Sequence, residues 1–170
     1  DRLESGFHRE ELRANNKDKD IIRERGVYLI TGGLGGLGNI FARHLSEKYK
    51  AKLILTGRSQ LTDKHRNQIE EIEALGGKVC YVAGDISQLE DVERILLEGE
   101  VAFGKLNGIF HAAGTLKDKY IKQKTQEEIE AVLSSKCFGL LNIDKASKEN
   151  DTLDFLVLFS SVSGFLGNPG

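Results

Sequence analysis

The chain has 170 residues, 39% of them hydrophobic and 29% charged, with a formal net charge of −2. That length suits about one domain with a buried core, the charge gives no overall pull toward nucleic acid, and no apolar run approaches the roughly 18 residues of a membrane span. Asp1–Arg25 is too charged for a signal peptide, and Cys80 and Cys137, which form no metal-ligand pattern, are expected as reduced core cysteines of a cytoplasmic protein.

Residues 1–25 mix both charges, with Leu3, Phe7 and Leu12 as the strong apolar points before Ile21. They are expected to form a charged linker, or a short amphipathic helix, leading in from a preceding region. Val27–Ile30 is short and apolar enough for a buried strand, and a glycine cluster follows at once. Leu37, Ile40, Phe41, His44 and Leu45 then recur at helical spacing. Within the cluster, Gly33, Gly35 and Gly38 read as G-x-G-x-x-G, while Gly32, Gly36 and Gly38 after Thr31 read as T-G-x-x-x-G-x-G. Both patterns serve the same purpose. Glycine lets the backbone turn sharply and approach a pyrophosphate, and the following helix points its positive N-terminus at that charge. The strand–turn–helix context favours dinucleotide binding over a glycine-rich turn without a ligand.

A second strand, Leu53–Leu55, ends in Thr56-Gly57-Arg58-Ser59. An NAD site usually carries an acid about 20 residues past its glycines, for the ribose 2′-hydroxyl. Here Arg58 holds that place with Ser59 beside it. A guanidinium and a hydroxyl suit a 2′-phosphate and select NADPH; the alternative is a surface arginine after a strand. A polar helix carrying Ile69, Ile72 and Leu75 ends at Gly76-Gly77. The third strand, Val79–Ala83, runs into Gly84-Asp85-Ile86-Ser87, where Ser87 and Glu90 have the spacing of a capping box. Asp85 lies at a strand's carboxyl end, where ligands bind in such sheets. It either accepts from an adenine amino group or is a loop aspartate beside a helix start.

The fourth strand, Leu106–Phe110, leads into His111-Ala112-Ala113-Gly114, whose small residues leave room for a ligand against the backbone. His111 itself reads as structural, with no second metal ligand near it in sequence. Thr125 and Glu128 form another capping box, opening a long helix whose apolar stripe is Ile129, Val132, Leu133, Leu140 and Ile143. Lys136 falls on that stripe. A lysine there is costly unless its charge has a use, so it either snorkels to the surface or reaches into the site. The fifth strand, Phe155–Phe159, ends in Ser160-Ser161, hydroxyls placed to meet a substrate. Five strands alternating with helices predict an α/β fold with a doubly wound parallel sheet.

These motifs, in this order, resemble a ketoreductase domain of a modular polyketide synthase. They are T-G-G-L-G-G-L-G, L-T-G-R-S, G-D-I-S, H-A-A-G, Lys136-Cys-Phe-Gly and F-S-S-V-S-G-F-L-G-N-P-G. Such domains belong to the short-chain dehydrogenase/reductase superfamily, and the lysine-rich, alanine-poor style is similar to bacillus-type trans-acyltransferase synthases. The resemblance covers Gly26–Gly170 and implies the N-terminal, five-strand part of a Rossmann-like fold. It implies that Gly32, Gly36 and Gly38 hold the pyrophosphate, with Thr31, Gly33, Gly35 and Leu37 also binding the cofactor. Arg58 and Ser59 would hold the 2′-phosphate, Asp85 and Ile86 would flank adenine, and His111, Ala112, Ala113 and Gly114 would border the cofactor. Lys136 matches the lysine that bonds the nicotinamide ribose and acidifies a neighbouring tyrosine. Ser161 matches the serine that hydrogen-bonds the substrate carbonyl.

The implied reaction is reduction by NADPH of a β-ketoacyl thioester on the phosphopantetheine arm of an acyl carrier protein, among neighbouring synthase domains. The family's tyrosine, the general acid, lies about 13 residues past its serine, beyond Gly170; general acid catalysis is typically worth roughly 10² to 10⁴ in rate. The 170 residues alone are therefore expected to be inactive, as a domain truncated before its catalytic tyrosine. A free-standing reductase of small ketones and a non-catalytic nucleotide-binding or structural module of a synthase are the alternatives. After H-A-A-G the B-type family loop reads L-D-D; here Leu116 and Asp118 match and Lys117 departs. The A-type tryptophan position is Leu158, and the chain has no tryptophan. Both features imply a D-configured β-hydroxyl product, unless Asp118 is only a solvated loop acid.

Overall fold

The structure, a computed structural model, describes residues 21–167. Five parallel strands form one sheet in the order β3-β2-β1-β4-β5. They are β1 (Val27–Thr31), β2 (Lys52–Gly57), β3 (Lys78–Ala83), β4 (Gly108–His111) and β5 (Phe155–Leu158). Helix α1 (Gly36–Tyr49) follows β1, α2 (Asp63–Ala74) follows β2 and α3 (Leu89–Phe103) follows β3. The last crossover is helical from α4 (Gln126–Leu133) through a π-turn (Ser134–Phe138) to α5 (Gly139–Ser147). This is the expected doubly wound parallel α/β sheet.

Side chains alternate across each strand, so β1 feeds both faces of the sheet. Val27 and Leu29 join Ile54, Ile95, Ile109 and Ile143 on the face covered by α3 and α5. Tyr28 and Ile30 join Leu45, Leu53, Leu55 and Ile72 on the face covered by α1 and α2. β1 is buried at all five positions, as a central parallel strand must be.

Several local expectations change. α1 buries Gly38, Ala42, Leu45, Ser46 and Tyr49, whereas Leu37, Ile40 and His44 are exposed. The buried face is rotated by about one residue from the apolar stripe, because small side chains let α1 approach the sheet. The Ser87–Glu90 capping box does not form. Gln88 is the N-cap of α3, and the Asp85 carboxylate accepts from the Ser87 N–H at 3.0 Å. The Thr125–Glu128 box is present, and α2 ends where Gly76 turns to φ +102°.

The single long helix expected after Thr125 is interrupted by the π-turn, which shifts the residues beyond it around the axis. Ile129 and Leu133 are exposed while Ile143 is fully buried. Lys136 and Cys137 both lie exposed on the π-turn, so Lys136 carries no core penalty and Cys137 is not a core cysteine. Cys80 is half-buried. Of the charged lead-in, residues 1–20 lie outside the described residues; residues 21–25 pack onto the sheet end, with Arg23 paired to Asp154 at 2.5 Å. The end of the G-N-P-G run, residues 168–170, also lies outside them.

Candidate functional site

The carboxyl ends of β1, β2, β3 and β4 open onto one crevice. At its centre Gly32 sits at φ +65° and its carbonyl accepts from the Gly35 N–H at 2.9 Å. Gly33 N–H donates to Thr56 O at 3.2 Å, tying the turn to β2. A methyl on Gly38 would overlap the Gly32 carbonyl oxygen and meet Gly33 Cα at 2.8 Å. The first turn of α1 thus packs directly on the glycine loop. Gly35 and Gly36 are exposed, and a Cβ on Gly36 would meet nothing within 4 Å. Here the amino end of α1 is bare backbone facing open space, the arrangement that accommodates an anion. Leu37 is exposed beside it but borders none of the cavities described below.

Three cavities lined by described residues adjoin along the crevice. One of about 220 Å³ lies between the glycine loop, the end of β2 and α2, and is lined by Gly35, Arg58, Ser59, His65 and Tyr81. A second, of about 240 Å³, shares Gly32, Arg58 and Ser59 and continues past Asp85, Ile86, Ala113 and Gly114 to Ser134 and Ser135. A third, of about 340 Å³, shares Ala113 and Gly114 and is bordered by His111, Ala112, Lys136, Leu158 and Ser160. The structure thus places Arg58, Ser59, Asp85, Ile86, the H-A-A-G residues and Lys136 along one trough. A further cavity, between Leu96, Leu106 and Ala146, borders none of these residues.

Individual side chains are held by specific partners. Arg58 is exposed and donates from Nη2 to Thr115 Oγ1 at 3.2 Å, spanning the crevice. The Tyr81 hydroxyl lies 2.6 Å from Ser59 O and 3.3 Å from Gly57 O, bracing the loop that carries Arg58. Burial raises the Tyr81 pKa above its ordinary value. Asp85 N–H donates to the Asp91 carboxylate at 2.8 Å, and the Arg94 guanidinium holds that carboxyl below its usual range. The Thr56 hydroxyl, at the edge of two cavities, is buried without a hydrogen-bond partner.

Thr31 and His111 turn inward. Thr31 Oγ1 lies 2.9 Å from His111 Nδ1 and accepts from Ala113 N–H at 3.1 Å. His111 is 7% exposed, and burial lowers its pKa. Its Nε2 faces the backbone of Ser135 and Lys136 but has no hydrogen bond of normal geometry. These side chains lie between the strand ends and the π-turn, and His111 also borders the third cavity. A Cβ on Gly114 would sit 3.5 Å from Lys136 Cε, so the lysine stem passes close to the strand-end backbone.

Ser160 borders the third cavity; Ser161, one residue on, is exposed and accepts from Ser163 N–H at 3.1 Å. Leu116 and Asp118 are exposed on the loop after β4 and border none of the three cavities. Sequence reasoning missed His65, Tyr81 and Thr115. Tyr81 could have been flagged by its alternation on β3; the other two carry no motif.

Comparison with known proteins matches this arrangement. The KR domain family matches residues 26–170. The polyketide synthase PksN of Bacillus subtilis (strain 168) is 42% identical over 149 residues, which are 87% of this chain and 3% of that protein. An N-terminal ketoreductase from the macrolactin assembly line has a TM-score of 0.84 at 45% identity, covering 88% of this chain and 30% of that one. A ketoreductase domain from the bacillaene assembly line has a TM-score of 0.82 at 45% identity, covering 87% and 36%. The bacillus-type likeness of the sequence fits these relatives, of whose length this chain spans a small part. Sheet order, glycine loop and sequence agree: the chain belongs to the KR domain family, the ketoreductases of modular polyketide synthases.

Proposed function

We propose that the chain forms the cofactor side of an NADPH-dependent reduction of a β-ketoacyl thioester, carried by the phosphopantetheine arm of an acyl carrier protein. The observation that carries this reading is the continuous trough from Arg58 and Ser59 to Lys136 and Ser160, with no acidic side chain at the end of β2. Its features fit a dinucleotide. The bare amino end of α1 and the open space over Gly36 would each accept a ligand. When bound, NADPH supplies the hydride.

This chain's residues then divide the binding and orientation. The glycine turn and α1 hold the pyrophosphate through backbone N–H groups and the helix dipole. Arg58 and Ser59 hold the 2′-phosphate, while Asp85 and Ile86 border the adenine. Lys136 is held near Gly114 and Ser160 by the π-turn, in reach of a ribose hydroxyl. The Ser161 hydroxyl, which accepts from Ser163 N–H and keeps its own hydrogen, donates to the substrate carbonyl, and the tyrosine of the family pattern gives the proton to the forming alkoxide.

The test is cofactor discrimination in the full-length protein. Losing a charge-assisted contact costs on the order of 1.5–3 kcal/mol, so Arg58→Ala is expected to raise KM for NADPH about tenfold or more and to leave NADH nearly unchanged. Equal losses with both cofactors would refute the 2′-phosphate role.

A further inference from the structure

We propose that His65 is a third specificity-determining contact for the 2′-phosphate, donating from Nε2 into the cavity it shares with Arg58 and Ser59. The inference rests on the NADPH reading above and adds a residue that no motif marks. Its geometry is local. His65 is the third residue of α2, half-buried, and forms a reciprocal cap with Thr62. His65 N–H donates to Thr62 Oγ1 at 3.4 Å, and Thr62 N–H donates to His65 Nδ1 at 3.4 Å. An imidazole nitrogen that accepts carries no proton, so the ring hydrogen resides on Nε2. A cap of this kind ordinarily uses Glu or Gln. With a histidine in that place, the cap fixes the tautomer and leaves a donor at the ring's other edge.

The surroundings call for an anion. The cavity of about 220 Å³ is lined by Thr56, Arg58, Ser59, His65 and Tyr81 together with the glycine loop, and among the described residues no carboxylate lines it. Its other donors are largely committed. The Tyr81 hydroxyl is held against the Ser59 and Gly57 carbonyls. Gly35 N–H is bonded to Gly32 O, and one Arg58 nitrogen is bonded to Thr115. The Thr56 hydroxyl is unpartnered among the described residues but buried out of reach, so the remaining guanidinium hydrogens, the Ser59 hydroxyl and His65 Nε2–H are left to meet a ligand. Three donor side chains around a small cavity match the three terminal oxygens of a phosphate monoester better than a ribose hydroxyl, which offers one oxygen.

Titration calorimetry on the full-length protein tests this with 2′,5′-ADP and with 5′-AMP, which lacks the 2′-phosphate. His65→Ala is expected to weaken 2′,5′-ADP about tenfold, as for a lost hydrogen bond to a charged group, and to leave 5′-AMP within about twofold. Thr62→Ala breaks the same cap from its other side without touching the cavity, and is expected to leave the ratio of the two affinities unchanged. If Thr62→Ala alters that ratio as much as His65→Ala does, His65 acts only as a cap and the proposal is overturned. Arg58→Ala separates the two levels of the argument. A loss of 2′,5′-ADP selectivity in Arg58→Ala but not in His65→Ala refutes the histidine contact alone. No loss in either variant refutes the 2′-phosphate site itself.

Discussion

His111 shows how one residue can link the strand ends to the π-turn. Ala113 N–H occupies a lone pair of Thr31 Oγ1, so the threonine hydroxyl is free to donate to His111 Nδ1. With the hydroxyl donating, the imidazole is neutral and its hydrogen is on Nε2, toward the Ser135 and Lys136 backbone. Burial disfavours the imidazolium and puts the folded pKa below the ordinary 6.5. Below the unfolded pKa the unfolded chain binds more protons than the folded one, so stability is fully present above about 6.5 and is lost as pH falls through the folded value. His111→Asn keeps an acceptor for Thr31 and cannot take up a proton. We expect urea midpoints to fall less between pH 7.5 and pH 5 in His111→Asn than in the unchanged protein; parallel pH profiles would contradict the assignment. Part of this was legible in the sequence, since a histidine at a strand end with no second ligand nearby reads as structural. The tautomer was not, because it depends on an Ala113 N–H brought alongside by the fold. Arg58 was more legible than His65, because an arginine where an acid is usual stands out, whereas a histidine in a capping position reads only as a cap.

At the level of elements, the glycine loop offers the sharpest contrast between fold and binding. A Cβ on Gly38 would collide with the Gly32 backbone, whereas one on Gly36 would enter open space. Overpacking of this kind typically costs about 1–3 kcal/mol. Replacing a helical glycine by alanine without strain gains about 0.4–1 kcal/mol. We therefore expect Gly38→Ala to lower stability by about 1–3 kcal/mol and to abolish nucleotide binding. Gly36→Ala should keep or slightly raise stability while weakening nucleotide binding, because its methyl occupies the space over the helix end. Denaturant midpoints and nucleotide titration together check this. If Gly36→Ala bound nucleotide as well as the unchanged protein, the open space there would not be part of the site. The five strands and the helices between them were readable because each is a short apolar run or a periodic segment with glycine or capping residues at its ends. The π-turn was not. A 3.6-residue period drawn through Ile129, Lys136 and Ile143 assumes a regular helix, and with one turn that takes more residues Ile129 lies in solvent and Ile143 in the core. The puzzle of a lysine on a core stripe came from that assumption, and π-turns often mark functional positions. The α1 stripe failed for another reason: hydrophobicity ranks Leu37 and Ile40 above Gly38 and Ala42, but the close approach to the sheet selects for size.

Across the whole molecule, strand order decides where the chemistry lies. The order β3-β2-β1-β4-β5 reverses direction beside β1, and the crevice forms where the connections from β1 and β4 depart to opposite faces. Every cavity on the proposed path opens there, and the loop from Ala112 to Tyr120 borders it. That loop is fastened in three places: Arg58 to Thr115 at 3.2 Å, Lys124 Nζ to Lys117 O at 2.7 Å, and Lys119 to Glu128 at 2.5 Å. Lys117, the departure from the L-D-D pattern, is thus anchored through its backbone carbonyl, a bond that does not depend on its side chain. Leu116 is 80% exposed and Asp118 is also exposed, so both stand free on a tethered loop. On the other side of the third cavity, Leu158 lines the wall where an A-type domain carries tryptophan, beside Lys136 and Ser160. A leucine there fills less of the cavity than an indole would. The loop and this wall together would set which face of the β-carbonyl meets the hydride. We expect the full-length protein to give a predominantly D-configured β-hydroxyl product from a β-ketoacyl thioester without an α-substituent, read by chiral chromatography. Asp118→Ala should erode that preference if the loop guides the arm. A predominantly L product from the unchanged protein would refute the loop argument and leave the reductase assignment standing, because the cofactor trough and the stereochemical wall rest on different residues.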